Sequence, residues 1–582
     1  MPVKPFRHLI PQIKAQWRLF SMGIVALLIV DVVEPYYPLA LKHAIDFIKL
    51  KQSLSPITQW ALIGVLITVS IGVLQYGWRM GFSGMARKVE YGMRRKLFEK
   101  LLSLPPAYYL KHRLGDLLSR AMSDLSTVRE ALGFGLLTFM DSPISMAITL
   151  AFMIRLDWRI TCYSLLPLIF LPPLVMTVGR KLRTYSFSAQ SALDQLSQTA
   201  TESFRGIKVI QAYGVSKEEA GRFLLQSKDY REKNMTMVRL EAWYWPLISV
   251  ISGCARVSLF YFGAERMAVD SQFLGSFVAL NLFLDKLILP IMGLGFSTNQ
   301  YVRGKVSVER LNEVYDQAAE INDGPGAAII PGAPLLEMQE LSFAYPAGPR
   351  VIHECDLSLV KGDWLGLAGR TGSGKTSLIR LILRLDDPSS GRVLLGGADV
   401  RQWELSALRR EVGLVMQEPF LFSETILENI AFGDAEPDRA EAKRWAEVAD
   451  LHDFIAGLPE GYDSMLGEKG VNLSGGQKQR LALARALYIK PRLLLLDDAF
   501  SAMDTATEER IVSRLKEALP DTGVLLVSHR SSTLRLCSQL MVMEKGSLVE
   551  KGSHEDLMQR EGFYFEMVRR EQLARKVGLA VD

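Results

Sequence analysis

Hydrophobic positions in this chain follow two different regimes. Through the first 300 residues they gather into long blocks, and beyond residue 335 they form short runs separated by polar turns. Six blocks lie near 19–40, 60–78, 131–154, 160–179, 242–264 and 273–296. Each is long enough to cross a bilayer as a helix, since a ~30 Å hydrocarbon core asks for roughly 20 apolar residues. The second and fourth blocks hold no charged residue, whereas the others carry Asp31 and Glu34, Asp141, Arg256, and the adjacent Asp285 and Lys286. Six crossings put both ends of the chain on one side.

The connections between blocks are lopsided. Residues 84–133 and 180–241 hold 10 and 11 Lys and Arg, while the alternate connections are short. An excess of basic residues marks cytoplasmic loops. Within them, VEYGMRRKLFEKLLSL and SALDQLSQTATESFRGIKVIQAY keep a helical spacing of apolar positions. This pattern predicts membrane helices that continue into the cytosol, turn and come back. Near residues 316–335 the composition changes to INDGPGAAIIPGAP, a Gly- and Pro-rich stretch that reads as a linker. Strand and helix patterns alternate after it, as in a soluble α/β domain. The predicted organisation is a six-helix membrane domain over 1–315, a linker over 316–335 and an α/β domain over 336–582.

Composition adds little to this and removes some alternatives. The chain has 582 residues, 49% hydrophobic and 23% charged, with a net charge of +5. So small a charge on so long a chain gives no reason to expect nucleic acid as a partner. The four cysteines, Cys162, Cys254, Cys355 and Cys537, are scattered without CxxC spacing or nearby histidines. That pattern fits packed, reduced thiols, not a disulfide framework or a zinc ribbon. The N-terminal MPVKPFRHLIPQIKAQ has no signature of a cleavable signal peptide.

Chemistry concentrates in the α/β part. Residues 369–376 read GRTGSGKT, between an apolar strand and a helix, which is the P-loop pattern in its required context. Gly369, Gly372 and Gly374 permit a tight turn whose backbone N–H groups point at phosphate oxygens, with the helix start adding its dipole. Lys375 would reach the β- and γ-phosphates, Thr376 would give its hydroxyl to Mg²⁺, and Arg370, Thr371, Ser373 and Ser377 complete the segment. A second signature, LLLLDD, ends an apolar strand in Asp497 and Asp498. Asp497 would hold Mg²⁺ through water. Between the two lies LSGGQ, where Ser474, Gly475, Gly476 and Gln477 open an amphipathic helix suited to an anion. Two phosphate-seeking helix starts cannot address one γ-phosphate in one compact domain, so the second is expected to serve a nucleotide held by another copy of the domain.

GRTGSGKT, LSGGQ, LLLLDD and the later VSHR together resemble the ATP-binding cassette, and the six-span half resembles the membrane domain of exporter-type ABC transporters. The resemblance covers essentially the whole chain. It implies an ABC exporter fold, ATP and Mg²⁺ as ligands, and a half-transporter that pairs with a second chain to sandwich two ATPs head to tail. Carried onto this sequence, it implies that Tyr345 stacks on adenine, Gln417 meets Mg²⁺ and water, and His529 contacts the γ-phosphate. It likewise implies that Ser501–Asp504 crosses between the sites, and that Glu468 lies in a segment facing the partner's coupling helices. In the membrane half, 112–130 resembles the first coupling helix, 201–214 the second, and the first 14 residues an elbow helix lying on the membrane.

One position departs from the family pattern. Where the residue after the Mg²⁺-associated aspartate is usually Glu, this chain has Asp498. Its carboxylate falls short by roughly 1 Å, and misplacements of that size can cost about a hundredfold in rate. The expectation is a site that binds ATP and hydrolyses it poorly. Its own LSGGQ would complete a good site on a partner carrying Glu, as in heterodimeric bacterial multidrug exporters. A homodimer in which Asp498 works slowly, such as a lipid flippase, is the near alternative, and a nucleotide-gated, non-pumping protein is a third. A soluble cassette protein is excluded by the six spans, and an importer would keep its cassette on a separate chain. Cargo is legible only as hydrophobic or amphipathic. Asp31 and Glu34 share one helix face and could attract cationic amphiphiles or form salt bridges with Lys42 or Arg256. Tyr36, Tyr37, Trp60, Trp78, Trp243 and Trp245 read as an interfacial belt beside lipid.

Overall fold

The structure, a computed structural model, describes residues 4–49, 54–270, 273–318, 321–327, 329–345, 348–467 and 472–577. Contacts divide the chain into two units. One comprises Met1–Ser103 and Lys111–Gln317, the other Leu104–Leu110 and Ala318–Asp582. Glu468 lies outside the described residues.

In the first unit, six helical runs are long and apolar enough to cross a membrane among the described residues: Trp17–Ile48, Ser55–Leu102, Leu114–Leu156, Trp158–Arg205, Ser216–Val269 and Leu274–Tyr315. Every apolar block lies in one of them to within a residue, and every run is longer than its block. The helix Ser216–Val269 has 54 residues. At 1.5 Å per residue that is about 80 Å, far beyond a ~30 Å hydrocarbon core. The extra length is polar helix, as the basic connections suggested. The first run is interrupted after Val33, just ahead of Pro35, which has no N–H to continue the ladder.

One local expectation shifts. Residues 112–130 do not form a separate short helix at the first turn; the third run starts at Leu114, and the short helix there is Pro106–Lys111. Pro106 at its first helical position is the sequence signal for that helix. At the second turn a short helix, Ile207–Tyr213, does fall inside 201–214, and Gly214 at φ +67° terminates it. Near the N-terminus a helix covers Leu9–Ala15. It is anchored beside the end of the sixth run, where Asn312 Nδ2 donates to the Pro5 carbonyl at 2.6 Å and His8 Nε2 lies 2.9 Å from Asp316 Oδ1.

Water gives no hydrophobic drive between helices in lipid, so close packing and polar contacts must hold them. Small residues supply the packing. A Cβ on Gly81 would lie 2.5 Å from the Gly23 Cα, and one on Gly304 would lie 2.5 Å from the Ala131 Cβ. Ion pairs supply the rest. Between the polar ends of the third and sixth runs, Arg310 reaches Asp116 at 2.7 Å and Asp124 at 3.0 Å, and Arg120 reaches Asp116 at 3.0 Å and Glu313 at 2.9 Å. Inside the apolar segments Glu34 pairs with Lys286 at 2.9 Å and Arg256 with Asp285 at 2.6 Å, so neither Lys42 nor Arg256 is the partner of the first-span acids. Sequence spacing fixes which residues share a face, not which neighbouring helix that face meets.

The second unit carries two sheets. Strands β1 (Leu336–Ala344), β2 (Arg350–Leu359), β4 (Ser390–Leu395) and β5 (Ala398–Asp399) form an antiparallel sheet in the order β2-β1-β4-β5. Strands β3 (Trp364–Gly369), β6 (Val412–Val415), β7 (Leu493–Asp497), β8 (Gly523–Val527), β9 (Gln539–Glu544) and β10 (Ser547–Gly552) form the other, ordered β10-β9-β3-β8-β7-β6. The run LLLL is explained by β7. Leu493 and Leu495 pack into one hydrophobic cluster, Leu494 and Leu496 into a second, so the strand is buried on both faces. The Gly/Pro-rich linker docks on its own unit from Asp323 onward. The Gly324 N–H donates to the Trp403 carbonyl at 2.9 Å, Ile330 N–H to Gly396 at 2.7 Å, and the Asp323 carboxylate accepts from Leu405 N–H at 2.9 Å.

The Gly23–Gly81 crossing gives a direct test. A Gly81→Val variant should be destabilised by about 1–3 kcal/mol, the usual cost of overpacking, whereas Gly72→Val, at a position with open space around it, should be tolerated. Thermal unfolding of both variants in one detergent checks the difference.

Candidate functional site

Sheet order alone gathers the expected residues. Strands β3, β8, β7 and β6 are neighbours and pair in parallel, so their carboxyl ends lie side by side. The loop 369–374 follows β3, Ser528 and His529 follow β8, Asp497 and Asp498 end β7, and Gln417 follows β6. Ligands of open α/β sheets bind outside these carboxyl ends.

The loop is built from strained backbone that only glycine adopts easily. Gly369, Gly372 and Gly374 have φ of +153°, +79° and +107°. A Cβ on Gly369 would lie 2.3 Å from the Met543 carbonyl oxygen, and one on Gly374 would lie 2.9 Å from the Met543 Cε. Lys375 opens the helix Lys375–Ile382 and folds back over the loop. Its Nζ donates to the carbonyls of Gly369 at 2.8 Å and Arg370 at 2.9 Å. Ser373 is buried, Arg370 stacks over Phe563 at 5.0 Å, and Thr371 and Thr376 are exposed. Burial pulls the Lys375 ammonium below its ordinary value, while Asp497 and Asp498 oppose that pull.

Two groups suit a hard cation. Thr376 Oγ1 donates to Asp497 Oδ2 at 3.1 Å, 121 residues away in sequence. Burial pushes the Asp497 carboxyl above its ordinary value; the Thr376 hydrogen bond, Lys375 and His529 oppose this, and Asp498 adds to it. Mg²⁺ usually takes one or two carboxylates, with substrate phosphates and water filling the remaining positions. A hydroxyl and a carboxylate at the mouth of a phosphate loop fit that requirement.

Asp498 has its backbone held. Its N–H donates to the Val527 carbonyl at 2.9 Å, its carbonyl accepts from Ser501 N–H at 3.1 Å, and its φ is +50°. Asp adopts this left-handed region more readily than most residues. Tyr345 joins the loop from the other sheet, its hydroxyl 3.0 Å from Ser377 Oγ and its ring 5.8 Å from the Arg380 guanidinium. Gln417 is exposed in a bend beyond the edge strand.

Ser474–Gln477 stands apart from this group. Ser474 caps the helix Gly475–Tyr488 with a full capping box, in which its Oγ accepts from Gln477 N–H and the Gln477 side chain accepts from Ser474 N–H. Ser474, Gly475 and Gly476 line a cleft of about 340 Å³ with Arg480, Ala502, Met503, Asp504 and Thr507, and no residue of the phosphate loop lines it.

Three positioning residues escaped sequence reasoning. Gln479 donates to Ser501 Oγ at 2.8 Å and accepts from Ala502 N–H at 3.0 Å, fixing 501–502 beside the glycines of the signature. Arg530 donates to the carbonyls of Phe500, Ser501 and Met503. Glu571, from the C-terminal helix Phe563–Val577, accepts from Ser531 N–H at 2.9 Å just beyond His529. Only the neighbourhood of Gln479 and Arg530 to known motifs could have drawn attention to them.

Comparison with known proteins identifies the two regions of the chain. The family model for the ABC transporter transmembrane region matches residues 20–291, and the ABC transporter model matches 352–501. The chain is 32% identical over 565 residues to YheI of Bacillus subtilis, a probable multidrug resistance ABC transporter ATP-binding/permease protein, covering 96% of each. It is 30% identical over 571 residues to an ATP-dependent lipid A-core flippase of Thiobacillus denitrificans, covering 97% of each. Among solved structures, a bacterial Atm1-family ABC exporter with ATP bound matches with a TM-score of 0.79 at 25% identity, over 95% of this chain and 99% of that one.

Two substitutions separate binding from alignment. Lys375→Ala should lower nucleotide affinity by roughly tenfold or more, since a charge-assisted hydrogen bond contributes about 1.5–3 kcal/mol. Gln479→Leu should leave that affinity within about twofold, because it touches only 501–502, and should reduce ATP turnover of the assembled transporter. Fluorescent-nucleotide titration and phosphate release read the two effects.

Proposed function

The chain belongs to the ABC transporters, with an exporter-type membrane region followed by an ATP-binding domain whose hydrolysis is coupled to transport, and on that premise we propose that it is the half of a heterodimer whose own site binds ATP better than it cleaves it. The observation that carries this reading is Asp498. With its backbone held on both sides by hydrogen bonds to Val527 and Ser501, the strand cannot advance to make up for the missing methylene. A carboxylate set back by roughly 1 Å aligns the attacking water badly.

In this reading the loop N–H groups and Lys375 hold the phosphates, and Tyr345 supports the adenine. Thr376 and Asp497, with Gln417, hold Mg²⁺, which would neutralise charge on the transferring phosphate. His529 faces the γ-phosphate. Ser474, Gly475, Gly476 and Gln477 face a nucleotide bound by the partner; the cleft lined by the first three with Arg480, Ala502, Met503, Asp504 and Thr507 holds no residue of this chain's phosphate loop, which supports that assignment. The partner supplies a Glu at the position of Asp498 and performs most of the hydrolysis. ATP binds the closed pair of cassettes more tightly than the open pair, so binding shifts the membrane halves from inward- to outward-facing.

The cargo is hydrophobic or amphipathic, in keeping with relatives named for multidrug resistance and for lipid A-core flipping. The basic connections support an orientation with the cassette on the cytoplasmic side, in the cytoplasmic (inner) membrane. A homodimeric flippase is the second reading, favoured by the flippase relatives.

Purification of the tagged chain from its native host should bring down an equimolar second chain carrying Glu at the matching position. In the assembled transporter, Asp498→Glu should let this chain's own site cleave as well, raising ATP turnover toward about twice that of the parent. Recovery of the tagged chain with only copies of itself, together with unchanged turnover in the variant, contradicts the heterodimer.

A further inference from the structure

Tyr345, just beyond β1, is held by three neighbours. Its hydroxyl lies 3.0 Å from Ser377 Oγ. Phe343, two residues earlier and buried, meets its ring edge-on, with centroids 4.8 Å apart and planes at 78°. The Arg380 guanidinium lies over the ring at 5.8 Å. Ser377 and Arg380 are three positions apart on the helix Lys375–Ile382 and so share a face. The same helix opens with Lys375, which folds over the phosphate loop. One short helix thus carries the phosphate-seeking lysine and two of the three contacts that hold the ring.

Arg380 is itself fixed. Its Nε donates to Asp386 Oδ2 at 2.6 Å, and both side chains are largely buried. Its Nη2 is buried and has no hydrogen-bond partner among the described residues. A guanidinium donates hydrogen bonds within its plane and stacks through its face, so the Asp386 pair sets its tilt without using up the face. The Tyr345 ring, inside the ~6 Å range of cation–π attraction, offers that buried charge an electron-rich surface.

The face of an aromatic ring is electron-rich, and so is that of a purine, which makes their direct stacking partly repulsive. A cation behind the ring draws its π density away from the opposite face and eases that repulsion. A ring already immobilised also loses less freedom when a ligand docks on it. We propose that Arg380 is a specificity-determining positioning residue, acting through Tyr345 on the base of the nucleotide and not on its phosphates. This rests on the reading of Tyr345 as the support for adenine and deepens it. Asp386 serves the same end at one remove, by holding the guanidinium in place.

The assembled, full-length transporter is photolabelled with 8-azido-ATP, and the label is read on the band of this chain. Two competitors are titrated with Mg²⁺: ATP, and inorganic tripolyphosphate, which has no base. Arg380→Met keeps the apolar stem and removes the cation. It should weaken ATP binding by roughly three- to tenfold, the range of a partly desolvated cation–π contact, and leave tripolyphosphate within about twofold. Tyr345→Leu should likewise weaken ATP and spare tripolyphosphate. Added to Tyr345→Leu, Arg380→Met should have almost no further effect, because the two residues act as one unit. Arg380→Met combined with Asp386→Leu leaves no lone buried carboxylate; it should reproduce the loss, and it serves if the single variant fails to fold. Equal weakening of both ligands, unchanged ATP binding, or full additivity with Tyr345→Leu overturns the role of Arg380. If Tyr345→Leu itself leaves ATP binding unchanged, the adenine reading fails as well. An effect of Tyr345→Leu without one of Arg380→Met sinks the role of Arg380 alone.

Discussion

Parallel pairing of β3, β8, β7 and β6, buried on both faces, is the constraint that the nucleotide site depends on. Parallel neighbours require long crossovers, so strands adjacent in space come from widely separated sequence, at 364–369, 523–527, 493–497 and 412–415. Their register does the rest. Leu496 sits opposite Leu526, and Leu367 opposite Val527. A slip of one residue would exchange the two leucine faces of β7 between clusters and carry Asp497 away from Thr376. Hydrophobic burial thus sets the position of a carboxylate whose task is electrostatic.

The membrane unit solves a different problem with different means. Its interhelical contacts rely on glycines that let backbones touch and on charges neutralised across helices. Where the helices leave the apolar zone, the interlocked Arg120, Arg310, Asp116 and Asp124 tie the third and sixth runs. The same side-chain chemistry is sparse inside the apolar zone, where an unmatched charge costs far more.

Much of this was legible because it is local. A phosphate loop is a contiguous string with a steric reason for each glycine, and a strand buried on both faces announces itself as LLLL. Apolar blocks revealed the spans but not their ends, since polar helix continues past the lipid without a change of backbone geometry. Partner choice was the least legible. Lys286 rather than Lys42 meets Glu34 because the sixth run, not the nearby chain, lies against the first span's acidic face. Gln479, Arg530 and Glu571 act on loops 20 to 40 residues away. Nothing in their own neighbourhoods encodes those contacts.

The segment Phe500–Asp504 is gripped from two directions, by Gln479 from the signature helix and by Arg530 from the stretch bearing His529. Its last residue caps the next helix, the Asp504 carboxylate accepting from Thr507 N–H at 2.9 Å. A strut clamped in this way has little freedom to bend, so displacement at one grip is delivered to the other. A chain so built links the signature helix to the stretch bearing His529 through one stiff connector, so a shift at either end is felt at the other.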